Sequence, residues 1–165
     1  MSRRSISAAF TWLVILTSLA PASGQAGKRA HALQRVTSLQ ADATLSALIH
    51  RPIIILFSLP GCHFCDEVRQ NYLLPLLNDA IPADRPILRE IVLTGSEQIT
   101  GFTGEKTSEQ LIAKSYGVRV APSVLMLDAS GALLVPAVVG GDTSGLYGGY
   151  LSGALSVATR LIQKK

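Results

Sequence analysis

The sequence predicts an α/β fold, and three observations predict it. Residues 53–57, Ile-Ile-Ile-Leu-Phe, form an apolar, largely β-branched run without polar alternation, as a strand covered on both faces does. The run closes at Pro60-Gly61, and a helical pattern of apolar residues begins directly after it. Strand-like and helix-like stretches then alternate to the C-terminus, which is the pattern of helices packed on a sheet. A chain of 165 residues, 48% hydrophobic and 16% charged, is long and apolar enough to bury the core of one such domain.

The N-terminus has the three parts of a secretory signal. Met1 to Ser7 carries Arg3 and Arg4 and no acid, Ala8 to Ala20 is apolar, and Pro21 to Ala26 is small and helix-breaking. Cleavage after Ala22 or Ala26 is compatible with this pattern, and Ala26 is favoured because Pro21 then ends the apolar stretch. The expected domains are therefore a signal peptide at 1–26 and a single domain at 27–165, with no stable membrane association after cleavage. Export implies the bacterial periplasm or the exterior, where disulfides persist. Without Arg3 and Arg4 the net charge of +4 falls to 13 basic against 11 acidic residues, and no basic run tracks a phosphate backbone. Nucleic acid is excluded as a partner on that ground.

Residues 36–40 read as a short strand, and Asp42 to His50 as a helix with Ala43, Leu45, Ala47, Leu48 and Ile49 on its apolar face. Pro52 and Pro60 bracket the central strand, since proline donates no ladder hydrogen bond. From Cys62 a helix runs through Val68, Tyr72 and Leu73, and Pro75 should kink or split it. Ile87 to Thr94 reads as a strand and Gly95 to Thr107 as a loop. Ser108 to Tyr116 reads as a helix, with Leu111, Ile112 and Tyr116 inward and Gly117 as its C-cap. Ser123 to Asp128 and Ala132 to Val139 read as a hairpin around Ala129-Ser130-Gly131. Gly140 to Gly149 reads as a flexible glycine-rich link, and Tyr150 to Ile162 as the closing helix.

The chemistry lies at the strand-to-helix junction, where the only two cysteines, Cys62 and Cys65, stand three apart. If Cys62 caps the helix and Cys65 lies one turn in, their Cβ atoms come roughly 5–6 Å apart, near enough for a disulfide to close. Helix-start amides and the dipole favour a thiolate on Cys62, which makes Cys62 the candidate nucleophile and Cys65 the candidate resolver. An inert buried pair is the alternative. A c-type haem site needs His after the second Cys, and position 66 is Asp. A structural zinc site needs four ligands, and His31, His50 and His63 do not complete the spacing of a zinc finger. No cofactor and no metal are expected.

The order of strand, Cys62-His63-Phe64-Cys65, helix, strand, helix, Gly117-Val118-Arg119-Val120-Ala121-Pro122-Ser123, hairpin and last helix resembles the thioredoxin superfamily. The resemblance covers about residues 36 to 162 and implies a thioredoxin fold, a central mixed β-sheet flanked by helices. It further implies that Pro122 is cis and packs beside the cysteine pair, with Ala121 presenting backbone to an extended substrate segment. Gly101-Phe102-Thr103-Gly104, Lys114 to Val118 and Leu146 to Leu151 look most like exported bacterial thioredoxin-like proteins, including those of sulfur-oxidation clusters.

Two departures stand against that pattern. Leu56 occupies the position of the buried acid, six residues before the first Cys, so the usual proton acceptor for Cys65 is missing. Ala121 replaces the bulkier or hydroxylated residue common before the proline. His63 either favours the Cys62 thiolate or is a polar surface residue, and Phe64 either docks a partner polypeptide or packs inward. The resulting expectation is a periplasmic thiol–disulfide oxidoreductase, acting as a reductase on protein thiols and disulfides and served by an upstream redox partner. The rivals are a non-enzymatic binding or chaperone module with a structural disulfide, and a metallochaperone.

Overall fold

The computed structural model describes residues 32–78 and 85–164. The expected signal at 1–26 and His31 lie outside them. In chain order the elements are β1 (Gln34–Arg35), α1 (Leu39–Ile49), β2 (Ile53–Ser58), α2 (His63–Glu67), a π-helical segment (Val68–Leu73), α3 (Leu74–Asn78), β3 (Ile87–Val92), β4 (Gln98–Thr100), β5 (Lys106–Ser108), α4 (Glu109–Ser115), β6 (Ser123–Leu127), β7 (Val138–Val139) and α5 (Tyr147–Gln163).

Every residue of β2 is buried because the strand is central in both senses. In the sheet it lies between β3, to which it is parallel from Ile53↔Ile87 to Ser58↔Val92, and β6, to which it is antiparallel from Ile53↔Leu127 to Phe57↔Ser123. The full order is β1-β3-β2-β6-β7. Its side chains alternate between two cores, as the pleat requires. Ile54 and Leu56 pack with Val68, Leu73 and Leu74 of the helix after the cysteines and with Leu151 and Ala158 of α5. Ile53, Ile55 and Phe57 pack with Leu39 and Ala43 of α1 and Ile112 and Ala113 of α4. Each such fully buried side chain contributes roughly 1.5–3 kcal/mol, so the unbroken apolar run secures helices on both faces at once.

Several sequence expectations are corrected. Residues 36–40 are not a strand: pairing is confined to Gln34–Arg35, and Ser38 caps α1, its hydroxyl accepting from Ala41 N at 3.1 Å. The buried side of α1 is Leu39, Asp42, Ala43 and Ser46, whereas Leu48 is 75% exposed. A polar face turns inward there because Arg89 of β3 donates to Asp42 at 3.0 Å and the Ser46 hydroxyl donates to Arg51 O at 2.6 Å. In α4 the inward residues are Glu109, Ile112 and Ala113, and Leu111 faces solvent. Glu109 is buried because Arg35 donates to both its oxygens, Nε at 2.9 Å, tying β1 to α4.

The 95–107 loop contains a two-stranded hairpin, β4 with β5, turned through Gly101 to Gly104, where Glu105 accepts from Thr103 N and Oγ1 at 3.0 and 2.6 Å. Three-residue strands are too short to show a sequence period. The arm after β6 is broken, too. An isolated Leu127–Leu133 bridge precedes β7, and the residues between them include Pro136, which has no N–H for a ladder. Pro75, expected to kink or split its helix, follows such a division: a π-helical segment separates α2 from α3, with Leu74 N donating to Arg69 O five residues back, and the wider turn makes room ahead of the proline ring. Finally, α5 starts at Tyr147, inside the glycine-rich stretch expected to be a flexible link.

Candidate active site

The end of β2 sets the geometry of the cysteine pair. Gly61 takes φ 68°, a left-handed conformation open to glycine, and Cys62 N donates to Leu59 O at 3.3 Å, so the chain reverses in one turn. Cys62 then caps α2 with extended backbone, its sulfur accepting from Cys65 N at 3.1 Å. Asp66 N donates to Cys62 O at 3.1 Å, the first turn of the helix. Cys62 and Cys65 are joined in a disulfide with their Cα atoms 5.2 Å apart. The two sulfurs are not equivalent. Cys62 is half-buried at the surface, whereas Cys65 is 0% exposed. Attack from outside therefore reaches Cys62, and the N–H aimed at its sulfur, with the other amides of the helix start, stabilises negative charge there.

His63 is exposed, Phe64 is 44% exposed, and their rings are 5.7 Å apart. Pro122 reaches the same end of the sheet through β6: Ser123 pairs with Phe57, so Ala121 and Pro122 lie beside the last residue of β2 and the turn into Cys62. The Ala121–Pro122 peptide is cis; Pro122 is buried and Ala121 half-buried. Pro122 O accepts from Gly140 N at 2.8 Å, bringing a third segment to the site. Gly141 packs against Phe64, since a Cβ there would lie 2.5 Å from the Phe64 ring. Cys62, His63, Phe64, Ala121 and Pro122 thus share one end of the sheet. His50, in the left-handed C-cap of α1, is exposed and is not among them. Among the described residues no group of three or more His, Cys, Asp or Glu side chains is placed to hold a metal ion.

Sequence reasoning missed two polar clusters here. Leu56 is fully buried, as its lack of charge requires, but its register partner on β3 is Glu90, which is 8% exposed. Glu90 lies on the α2 side, as Leu88 does, and accepts from Ser58 Oγ at 2.6 Å and from Arg69 Nε and Nη2 at 3.2 and 2.5 Å. Arg69 also donates to Asp66. Its pKa is raised, chiefly by the hydrogen bond to Glu90, which fixes the positive charge on the turn after Cys65. A buried acid is therefore present one strand away from the position where it was missed. The signal was the charged pair Arg89-Glu90 inside the apolar run Ile87 to Val92.

The second cluster is Tyr72, Asp142 and Tyr147. The Tyr72 hydroxyl donates to Asp142, Tyr147 N donates to it at 3.4 Å, and the Tyr72 and Tyr147 rings are 5.1 Å apart. Asp142 thereby ties the π-helical segment to the start of α5. The Tyr72 hydrogen bond, helped by backbone amides, holds the Asp142 carboxyl below its ordinary pKa. A depressed carboxyl pKa stabilises the fold above the unfolded value of 3.8 and ceases to do so as pH falls through the lower, folded value. Tyr72→Phe should therefore be less stable than the parent at neutral pH, with the difference shrinking as pH falls below that window. Urea unfolding followed by circular dichroism at several pH values measures it, and a difference independent of pH would refute the assignment.

No protein-family model and no curated protein matches this sequence. Solved structures similar to it include a DsbH oxidoreductase, at 19% identity over 78% of this chain and 88% of that one with a TM-score of 0.49. The C-terminal domain of Neisseria meningitidis DsbD in its oxidised form is 18% identical over 73% of this chain and 98% of that one, TM-score 0.43. Oxidised mitochondrial thioredoxin 3 from Saccharomyces cerevisiae is 16% identical over 75% and 93%, TM-score 0.49. The sheet itself is the stronger statement. A central strand parallel to β3 and antiparallel to β6, helices on both faces, and a Cys-x-x-Cys pair capping the helix that leaves that strand give this chain the thioredoxin fold.

Proposed function

We propose that this chain is an exported thiol–disulfide oxidoreductase that exchanges disulfides with protein cysteines through Cys62 and Cys65, in the direction of a reductase. The observation that carries the reading is the unequal exposure of two bridged sulfurs at a helix start, Cys62 reachable and Cys65 fully buried. In the reduced protein, the Cys62 thiolate attacks one sulfur of a substrate disulfide and expels the other as a thiolate, leaving a mixed disulfide. The Cys65 thiol loses its proton, attacks the Cys62 sulfur, expels the second substrate thiolate and restores the Cys62–Cys65 bond. Two electrons pass to the substrate, and an upstream dithiol must return them.

His63, exposed beside Cys62, is placed to favour the thiolate, while Ala121 and Pro122 line the approach of an extended substrate segment. The basic, apolar and small-residue parts of the N-terminus support export to the periplasm. An oxidising compartment has dedicated oxidants, and the role left there for a further thiol protein is that of a carrier that keeps a partner's cysteines reduced. The expected potential is roughly −180 to −270 mV, between those of strong oxidants and strong reductants. Equilibrating the protein in glutathione buffers and scoring free thiols measures it. A value of about −120 mV would make the chain an oxidant instead. A pair that no mild reductant opens would make it a binding module with a structural disulfide.

A further inference from the structure

Asp66, Arg69 and Glu90 form a charged cluster against the cysteine-bearing turn, and the exchange steps leave all of them unused. Arg69 stands four residues after Cys65, so the two side chains share a helix face. Both turn inward, Cys65 fully and the Arg69 side chain to 15% exposure. Glu90 occupies the layer between the sheet and this helix, because its register partner on β2 is Leu56. Ser58, the last residue of β2 and four before Cys62, donates to Glu90 at 2.6 Å. Arg69 joins the parts, giving Nε and Nη2 to Glu90 at 3.2 and 2.5 Å and Nη1 to Asp66.

The other charges around Cys65 are engaged elsewhere. Arg35, the register partner of Glu90 on β1, donates to Glu109, and Arg89 donates to Asp42 on the opposite face of the sheet. Asp142 accepts from Tyr72, and Glu67 acts on that same tyrosine. His63 is exposed, and α5 brings only Arg160, exposed and donating to Ser156. Arg69 is thus the cation set on the inner side of the turn, and its hydrogen bond to Glu90 keeps it charged wherever a thiol titrates.

Cys65 must lose a proton before it attacks the Cys62 sulfur, and burial disfavours the thiolate that results. A cation one helical turn away offsets that penalty, and an acid bonded to the cation cancels part of the help. We infer that the Arg69–Glu90 pair sets the acidity of Cys65 and with it the pace of the resolving step, Arg69 stabilising the thiolate and Glu90 acting through Arg69 to limit it. Both are positioning residues. This rests on the exchange reading above and adds to it the control of its second step.

The test follows the reduced protein as it meets oxidised glutathione. Attack by Cys62 expels one glutathione thiolate and leaves a mixed disulfide; attack by Cys65 expels the second and forms the Cys62–Cys65 bond, so two electrons pass from protein to glutathione. Rapid mixing over a series of pH values resolves the second release. In a Cys62→Ser background the ultraviolet absorbance of the thiolate titrates Cys65 directly. Glu90→Gln keeps the size of the side chain and removes its charge, and should make the acid dissociation constant of Cys65 about tenfold larger. Arg69→Met should make it about tenfold smaller, and the double variant should return near the parent. At pH below the thiol pKa, Glu90→Gln should release the second glutathione about threefold faster, because the gain in thiolate is offset in part by the weaker nucleophilicity of a less basic sulfur. At pH above it the variant should be about threefold slower, so the two pH–rate profiles cross. Asp66→Asn, on a side chain 65% exposed, should act in the same direction by less, since water screens it. Ser58→Ala removes a hydrogen bond and no charge, and should leave the titration in place.

A merely loosened turn would move Glu90→Gln, Arg69→Met and Ser58→Ala alike. Shifts of one sign in those variants overturn the inference, as do profiles that never cross or a Cys65 titration that none of them moves, while exchange itself stands. A reduced parent that releases no glutathione overturns the exchange reading along with it.

Discussion

Cys65→Ser accumulates mixed disulfides with substrate proteins through Cys62, and Cys62→Ser accumulates essentially none, while both lose multiple-turnover exchange to the uncatalysed level. The reason is positional. Attack requires an accessible thiolate, and Cys62 is the half-exposed sulfur at the helix cap, with Cys65 N directed at it at 3.1 Å. Resolution requires a thiol behind the first, and Cys65, fully buried with its Cα 5.2 Å from that of Cys62, attacks only that neighbour. Serine in place of Cys65 keeps the attacking sulfur and removes the resolving one, so the reaction halts at its intermediate. Non-reducing electrophoresis of extracts from cells expressing each variant reads the outcome. Equal trapping by both would remove the division of labour proposed for the pair.

Arg69→Met lowers stability by about 3 kcal/mol, the cost of leaving one member of a buried ion pair without its counter-charge. The Arg69 and Glu90 side chains are 15% and 11% exposed, and two of the guanidinium nitrogens serve Glu90. Removing the cation leaves a carboxylate between β3 and the cysteine-bearing helix with only the Ser58 hydroxyl to satisfy it. Glu90→Gln in the same chain removes the stranded charge, so the double variant should regain much of the loss, and the cycle reads the coupling directly. Chemical denaturation of the four proteins measures this. A single-variant cost below about 1 kcal/mol would show that the pair is solvated like a surface one.

The parts of the site readable in the sequence depend on local chain properties. Ile53 to Phe57 could only be an interior strand, Gly61 supplies the left-handed turn, and Cys62 with Cys65 take their spacing from one helical turn. Pro122 was placed beside the pair only by the resemblance to the thioredoxin superfamily, since its spacing alone fits an edge marker equally well. The helix faces were harder. In α1 the inward positions hold Asp42 and Ser46, and a polar residue reads as surface until its partner is known. Arg89 and the Arg51 carbonyl are those partners, and each lies beyond the helix itself. The hairpin of β4 and β5 was hidden because its strands have three residues each, less than a period pattern needs.

By itself, then, the sequence determined the central strand, the cysteine pair and its place at a helix start, because strand burial, turn conformation and helix spacing are properties of consecutive residues. Which sulfur faces outward, the acid at Glu90 beside Leu56 and the Tyr72–Asp142 tie were decided by tertiary structure alone. Each joins residues from separate elements, 21 positions apart for Arg69 and Glu90 and 70 for Tyr72 and Asp142. Such pairs meet only through the parallel register of β3 on β2 and the return of the chain from β7 into α5, and a carboxylate or hydroxyl is worth burying only where that register delivers its partner.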